Sequence, residues 1–346
     1  MADDPVIAAD AVDPVPWAIH GAKHSADVAR QNTYDSTGGA EGVSNPGALK
    51  VRATQTPSNQ VRVAPGGALM LSPWDEGQTY NFRVAKEALV DVPASSSLGA
   101  NTWFINAWVN DPNKPGGTTP DSVPFGPYAF LTCDAEPKGD FPHYTPAKIV
   151  VPADTATIED DYITDLRKLA QPKRESVTLG RPSVRADVGP ESDLATREAD
   201  GGEYFPGGAG YFNVFRVDIP EWCTQIKIRP EWFSVRYAAN KNVWGTRWME
   251  YGTEYREHTW PGKQQYEFST QRFQFDSGGG STSRIDWSLI DTKTVPAKLR
   301  GQTVDFVFKA ALNAGSELGV TMDIRSGLGC ELTFIQEPVS DWEGAS

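Results

Sequence analysis

Residues 158–175 read IEDDYITDLRKLAQPKRE, and the reading of this stretch decides how the rest of the chain divides. Ile158, Tyr162, Leu166 and Leu169 follow at steps of four, four and three, which lines them along one face of an α-helix. Glu159, Asp160, Asp161 and Asp165 precede Arg167, Lys168, Lys173 and Arg174, an order that suits the helix dipole, and Pro172 supplies a stop. The spacing predicts a connecting helix over residues 158–174. A single helix of about three turns is marginal in water, so its apolar stripe needs cover. That cover is either its own domain or the same stripe on other subunits, packed as a short bundle. Ile158, Tyr162, Leu166 and Leu169 are therefore candidate oligomer-interface positions.

Towards the N-terminus, residues 1–24 are acidic and carry Pro5, Pro14 and Pro16, which predicts an extended arm. Residues 25–157 read as a β domain. A short helix capped by Ser25 comes first and ends at Gly38-Gly39. Then Leu49, Val51 and Ala53 alternate, as do Val61 and Val63, and Pro65-Gly66-Gly67 turns the chain into the next strand. Residues 111–127, DPNKPGGTTPDSVPFGP, form a polar, turn-rich loop. Towards the C-terminus, residues 175–210 show little periodicity and read as a linker. Residues 211–339 resume short alternating segments, among them Phe215, Val217 and Ile219, and Val304, Phe306 and Phe308. They predict a jelly-roll-like β-sandwich, followed by a short tail over residues 340–346. The expected fold is all-β: a small N-terminal barrel or sandwich, a connecting helix and a C-terminal sandwich.

Composition agrees with many strands and turns: 346 residues hold 32 Gly, 26 Pro and 11 Trp. A net charge of -13 repels a phosphate backbone and argues against a nucleic-acid partner. The opening MADDPVIAADAVDPVPW has neither the basic start nor the apolar core of a signal peptide, and no transmembrane run follows. Synthesis in the cytoplasm without a signal peptide and no membrane insertion are expected. Cys133, Cys223 and Cys330 are widely spaced and read as free buried thiols.

Residues that bear chemistry are sparse. His20 and His24 stand four apart, but Gly21 interrupts and no HExxH motif accompanies them. His143 and His258 stand alone, and no serine sits in a GxSxG elbow. Glu250, Glu254 and Glu257 are the first carboxylates to consider for glycosidase chemistry, and Asp111 and Asp160-Asp161 for weak calcium binding. Neither assignment has a motif behind it. The expectation is no catalytic residue, no metal, no cofactor and no enzymatic activity. The marked constellation is aromatic. Trp244, Trp248, Tyr251, Tyr255 and Trp260 cluster with Arg247 in residues 240–262. Indoles with a guanidinium nearby suit a sugar platform, and they also suit a sandwich core or a subunit interface.

One resemblance emerges from the N-terminal half. His24-Ser25-Ala26, then TGGAEGV over residues 37–43, GALKV over residues 47–51 and VRVAPGGAL over residues 61–69 resemble, in order, the opening domain of minor tail proteins of actinobacterial siphophages. ITDLRKLAQP over residues 163–172 resembles that family's exit from its first β domain. The likeness covers about half the chain, rests on scaffold residues and does not reach the C-terminal sandwich. It implies a virion component of the tail tip or baseplate, trimeric about the tail axis. Such a component docks to other tail proteins through its N-terminal domain, with a receptor-binding C-terminal part that contacts host cell-wall glycan. The alternative is a free carbohydrate-binding module or an accessory protein of a polysaccharide hydrolase.

Overall fold

The computed structural model describes residues 25–338 apart from residues 75–76, 96, 98, 124, 184–190, 208–212, 252–270 and 277–279. The predicted arm and tail lie outside the described residues. The chain divides into two compact units at Pro172 and Lys173.

The first unit opens with helix α1, Ala26–Thr37. Ser25 caps it by accepting the Val28 N–H at 3.1 Å, and Gly38 closes it with φ of 61°, a left-handed geometry that suits glycine. Ten strands follow: β1 (Gly42–Val43), β2 (Val51–Ala53), β3 (Gln60–Val63), β4 (Gly66–Leu71), β5 (Thr79–Val84), β6 (Ala88–Asp91), β7 (Asn101–Val109), β8 (Ala129–Asp134), β9 (His143–Val151) and β10 (Ile163–Asp165). They form three antiparallel sheets, ordered β1-β4-β5, β2-β3-β6 and β10-β9-β7-β8. All three close on one core that includes Leu49, Val61, Met70, Ile105 and Ile149.

The predicted connecting helix is not formed. Residues Asp160–Tyr162 make one 3-10 turn, β10 pairs with β9 through Ile163 opposite Ile149, and the chain runs on without helix to Pro172. Asp165 and Arg167 show why. Residues two apart do not face each other on a helix; here the Arg167 guanidinium bonds Asp165 through Nε and Nη2, each at 2.9 Å. Its Nη1 donates to the carbonyls of Pro46 at 2.7 Å and Ala48 at 3.0 Å, and the side chain is fully buried. Val43 N–H and C=O are meanwhile taken up by Lys168 and Ala170. Tertiary pairing therefore overrides the local 3.6-residue pattern. As a result the four stripe residues do not share a face. Ile158 and Leu169 are buried in the core of their own unit, Tyr162 packs partly against it, and Leu166 is 39% exposed. The intersubunit reading of this stripe is corrected accordingly.

The second unit spans Lys173–Glu337 and has twelve strand segments: β11 (Arg174–Arg181), β12 (Glu191–Asp193), β13 (Glu203–Tyr204), β14 (Val214–Asp218), β15 (Gln225–Tyr237), β16 (Asn242–Tyr251), β17 (Gln271–Asp276), β18 (Ser283–Ser288), β19 (Asp291–Thr294), β20 (Thr303–Leu312), β21 (Val320–Asp323) and β22 (Gly327–Ile335). The predicted linker over residues 175–210 is thus corrected: it supplies the first edges of the sandwich. Several segments share a place in the sheet order. Pairing places β11 and β12 along β22 and β21, β13 and β14 along β20, and β18 and β19 along β15. Counted this way, one sheet has the order 1-8-3-6 and the other 2-7-4-5. That is the eight-stranded jelly roll. Its two sheets enclose Phe215, Trp232, Tyr237, Trp287, Phe306 and Phe308. Among the described residues no helix is long and apolar enough to cross a membrane.

Candidate functional site

Strand β16, NVWGTRWMEY, carries the sequence-predicted constellation, and strand alternation splits it. Val243, Met249 and Tyr251 point into the sandwich. Tyr251 stacks on Phe306 with ring centroids 5.3 Å apart and donates to the Thr294 carbonyl. Arg247 lies on this inner side too, 5.5 Å from the Trp287 ring centroid, and donates to the Arg272 and Ser288 carbonyls. Burial holds its guanidinium below the usual arginine range. Trp244, Thr246, Trp248 and Glu250, of opposite parity, line the outer face of the second sheet.

On that outer face Trp248 Nε1 donates to Glu250 Oε1 at 2.9 Å. Lys309 of β20 places its ammonium 3.3 Å from the same oxygen, 5.5 Å from the Trp248 ring and 5.8 Å from the Tyr204 ring. Gly202, which follows the 3-10 turn Glu198–Asp200, lies against the indole. A Cβ at Gly202 would stand 2.4 Å from Trp248 Cη2, so only glycine lets the chain lie this close. Thr246 Oγ1 donates to Glu198 Oε1 at 2.7 Å. Trp248 is fully buried and offers no ring face to a ligand. Trp244 is half-buried beside the turn at Gly315, where an added Cβ would meet its Cζ2 at 3.5 Å.

The glycan platform over Trp244, Trp248, Tyr251 and Arg247 is therefore corrected: the structure sends these residues to opposite faces and buries two of the rings. Tyr255 and Trp260 lie outside the described residues, as do Glu254, Glu257, His20, His24 and His258. Glu250 is spent on Trp248 and Lys309, a buried polar cluster that fixes the face rather than an exposed acid. Sequence reasoning missed Lys309, Tyr204 and Glu198. A signal for Lys309 exists, because it is the lone cation in the apolar run VFKAAL and its parity puts it outside.

Other sequence candidates are likewise committed. Asp111 accepts from Tyr80 Oη at 2.8 Å and pairs with Arg30 at 3.3 Å, beside a concavity of about 410 Å³ in the first unit. Burial first, and then the bond to Asp111, pushes the Tyr80 phenol above its usual range. Asp160 Oδ1 accepts the Ala53 N–H, and His143 Nδ1 lies 3.0 Å from the Phe141 carbonyl. Among the described residues no group of three or more His, Cys, Asp or Glu could hold a metal. The three cysteines are free, and burial pushes the Cys133 thiol up to about 12 and Cys223 up to about 11.

No family model and no curated protein matches the chain. Among solved structures it is similar to the infectious bursal disease virus VP2 subviral particle, at 11% identity over 86% of this chain and 68% of that one, with a TM-score of 0.25. It is also similar to infectious bursal disease virus of the Gx strain, at 8% identity over 87% and 80%, TM-score 0.22. A third is BuGH86 in complex with neoagarooctaose, at 9% identity over 85% of this chain and 35% of that one, TM-score 0.23. These are loose likenesses, and the jelly roll rests on the strand order above.

A further concavity, of about 590 Å³, lies on the outer face of the first jelly-roll sheet. Thr178 and Gly180 of β11, Gly329 and Glu331 of β22, and Arg229, Glu231 and Phe233 of β15 line it. Register puts Gly180 opposite Gly329 and Glu231 opposite Gly329 on its other side, so three neighbouring strands form one glycine-floored trough.

Proposed function

We propose that this chain is a structural component of a virus particle, a minor protein of a phage tail tip. Its first unit is the attachment module, and its jelly roll is the module presented to the surroundings. The observation that carries the reading is where the family-like residues stand. Ser25 and Gly38 cap α1, Gly42 adopts φ of 137° with Lys168 O 2.3 Å from any added Cβ, and Gly66 adopts φ of 148° against Ala48. Arg167, in the second family-like stretch, ties that segment to the GALKV turn through Pro46 and Ala48. The resembling motifs are thus bound to one another in one scaffold. The jelly roll is an architecture that capsid and lectin domains share, which suits a part that builds a particle and meets a surface. This reading gives the chain no bond-making chemistry and places it in a symmetric oligomer, a trimer.

Mass spectrometry of purified particles, with antibody labelling against residues 173–338, tests this directly. The expected result is a low-copy virion protein labelled at one end of the tail. Absence from washed particles sinks the reading and leaves the free carbohydrate-binding module, which the exposed Phe233 beside the trough favours as the second candidate. Light scattering on the purified chain tests the trimer.

A further inference from the structure

Phe233 is a large apolar side chain that β15 holds out to solvent, 39% exposed. Its direction follows from strand alternation, and a β-bulge directly after it ends the run. Ile226, Ile228 and Trp232 enter the core, so Arg229, Glu231 and Phe233 face out, and beyond Phe233 the register between β15 and β18 shifts, with Ser234 at φ of 58°, which turns Val235 into the core as well. The bulge is pinned on every side. Ser234 N–H donates to Asp286 Oδ1 at 2.6 Å, and Ser234 C=O accepts from Ser326 Oγ at 2.8 Å and Arg284 Nη1 at 3.1 Å. Arg284 also bonds Asp323, which itself accepts from Arg325 N–H. The ring tip lies over Gly329, with Cε2 2.9 Å from where a Cβ would stand. A phenyl ring is thus fixed against a backbone floor at the edge of the 590 Å³ trough.

The polar lining carries no excess of positive charge. Arg229 pairs with Glu231 at 3.3 Å across the solvent-facing side of β15, and Glu331 adds a second carboxylate and Thr178 a hydroxyl, while Arg181 turns its guanidinium inward, 4.9 Å from the Phe215 ring centroid. A polyanion meets net repulsion there, two carboxylates against one guanidinium. A neutral polyhydroxyl ligand does not: it takes hydrogen bonds from the guanidinium, gives them to the carboxylates, and lays an apolar C–H face on a ring.

We propose that this trough is a binding site for a neutral saccharide, with Phe233 as the stacking platform and Arg229 and Glu231 as the hydroxyl-recognising pair. The inference deepens the surface-facing role proposed for the second unit and rests on that reading for its use. The binding test, however, is separate from the particle test, so either can fail alone.

The experiment is a glycan array of neutral hexose and pentose oligosaccharides beside uronic-acid oligosaccharides, probed with the full chain and followed by titration of the best neutral ligand. Gly180→Trp is the decisive variant. No heavy atom lies within 4 Å of an added Cβ at Gly180, so an indole fills the trough without disturbing the fold, which an unchanged melting temperature checks. Expected are neutral ligands only, affinity lost in Gly180→Trp, about tenfold weaker binding in Phe233→Ala, and no change in Trp244→Ala. Binding confined to uronic-acid ligands, no binding to any sugar, or neutral-sugar binding that survives Gly180→Trp in a folded protein each overturns the proposal.

Discussion

At the scale of single residues, Arg167 is the side chain on which the first unit depends most. Its guanidinium is fully buried and shares donors between Asp165 and the Pro46 and Ala48 carbonyls. Arg167→Met removes the side-chain donor from the Pro46 and Ala48 carbonyls while Asp165 keeps Lys50, and the loss of two buried hydrogen bonds should cost about 2–4 kcal/mol. Denaturant unfolding of the full chain measures it. Burial alone would raise the Asp165 carboxyl, but bonds from Arg167 and Lys50 outweigh it and hold the group at about 2. A depressed carboxylate contributes stability that is present above its unfolded value and lost as pH falls through the folded one. The first unit should therefore weaken between roughly pH 4 and pH 2, by about 1 kcal/mol once solvent screening of this partly exposed group is allowed for. Asp165→Asn should flatten that slope in acid melts. Gly66 makes a different demand: with φ of 148° and Ala48 Cβ 2.3 Å from an added methyl, Gly66→Ala both strains and clashes. A loss of about 2–4 kcal/mol is expected, readable in the same denaturation series.

At the scale of elements, residues 158–172 show what pattern alone misses. Helical spacing was present in Ile158, Tyr162, Leu166 and Leu169, yet the deciding partners are more than a hundred residues away, at Val43, Pro46 and Ala48, and no local window contains them. Leu166→Asp puts this to the test. On a buried helical seam it would be severe; on the exposed loop seen here it should change stability by less than about 0.5 kcal/mol and leave the oligomeric mass as it was. Equilibrium unfolding and light scattering read the two quantities. The sandwich core was legible for the opposite reason: Val304, Phe306 and Phe308, or Phe215, Val217 and Ile219, alternate because both neighbours of a strand and one face are fixed by the fold. The edge strand β11 was not, since RESVTLGR sends only Val177 and Leu179 inward to half-burial and reads as linker. The candidate site divided along the same line. Period two separates Trp244 and Trp248 from Arg247 and Tyr251, a split already available in the sequence. The trough at Phe233 depends instead on three strands distant in sequence lying side by side.

At the scale of the whole molecule, the two hydrophobic clusters stay on their own sides of Pro172. One is built from Val43 to Leu169 and the other from Val177 to Phe334, and among the described residues no sheet draws strands from both units. Cooperative unfolding follows shared packing, so each unit should melt as its own transition. Phe308 tests the second: it is fully buried, with its ring 4.9 Å from Trp232 and 5.5 Å from Phe215, and truncation to alanine should cost about 3–5 kcal/mol. In scanning calorimetry of the full chain, Phe308→Ala should lower one transition and Arg167→Met the other, each leaving its neighbour in place. A single transition that both variants lower together would mean that stability is pooled across the chain, and the attachment and presentation roles would no longer have separate physical carriers.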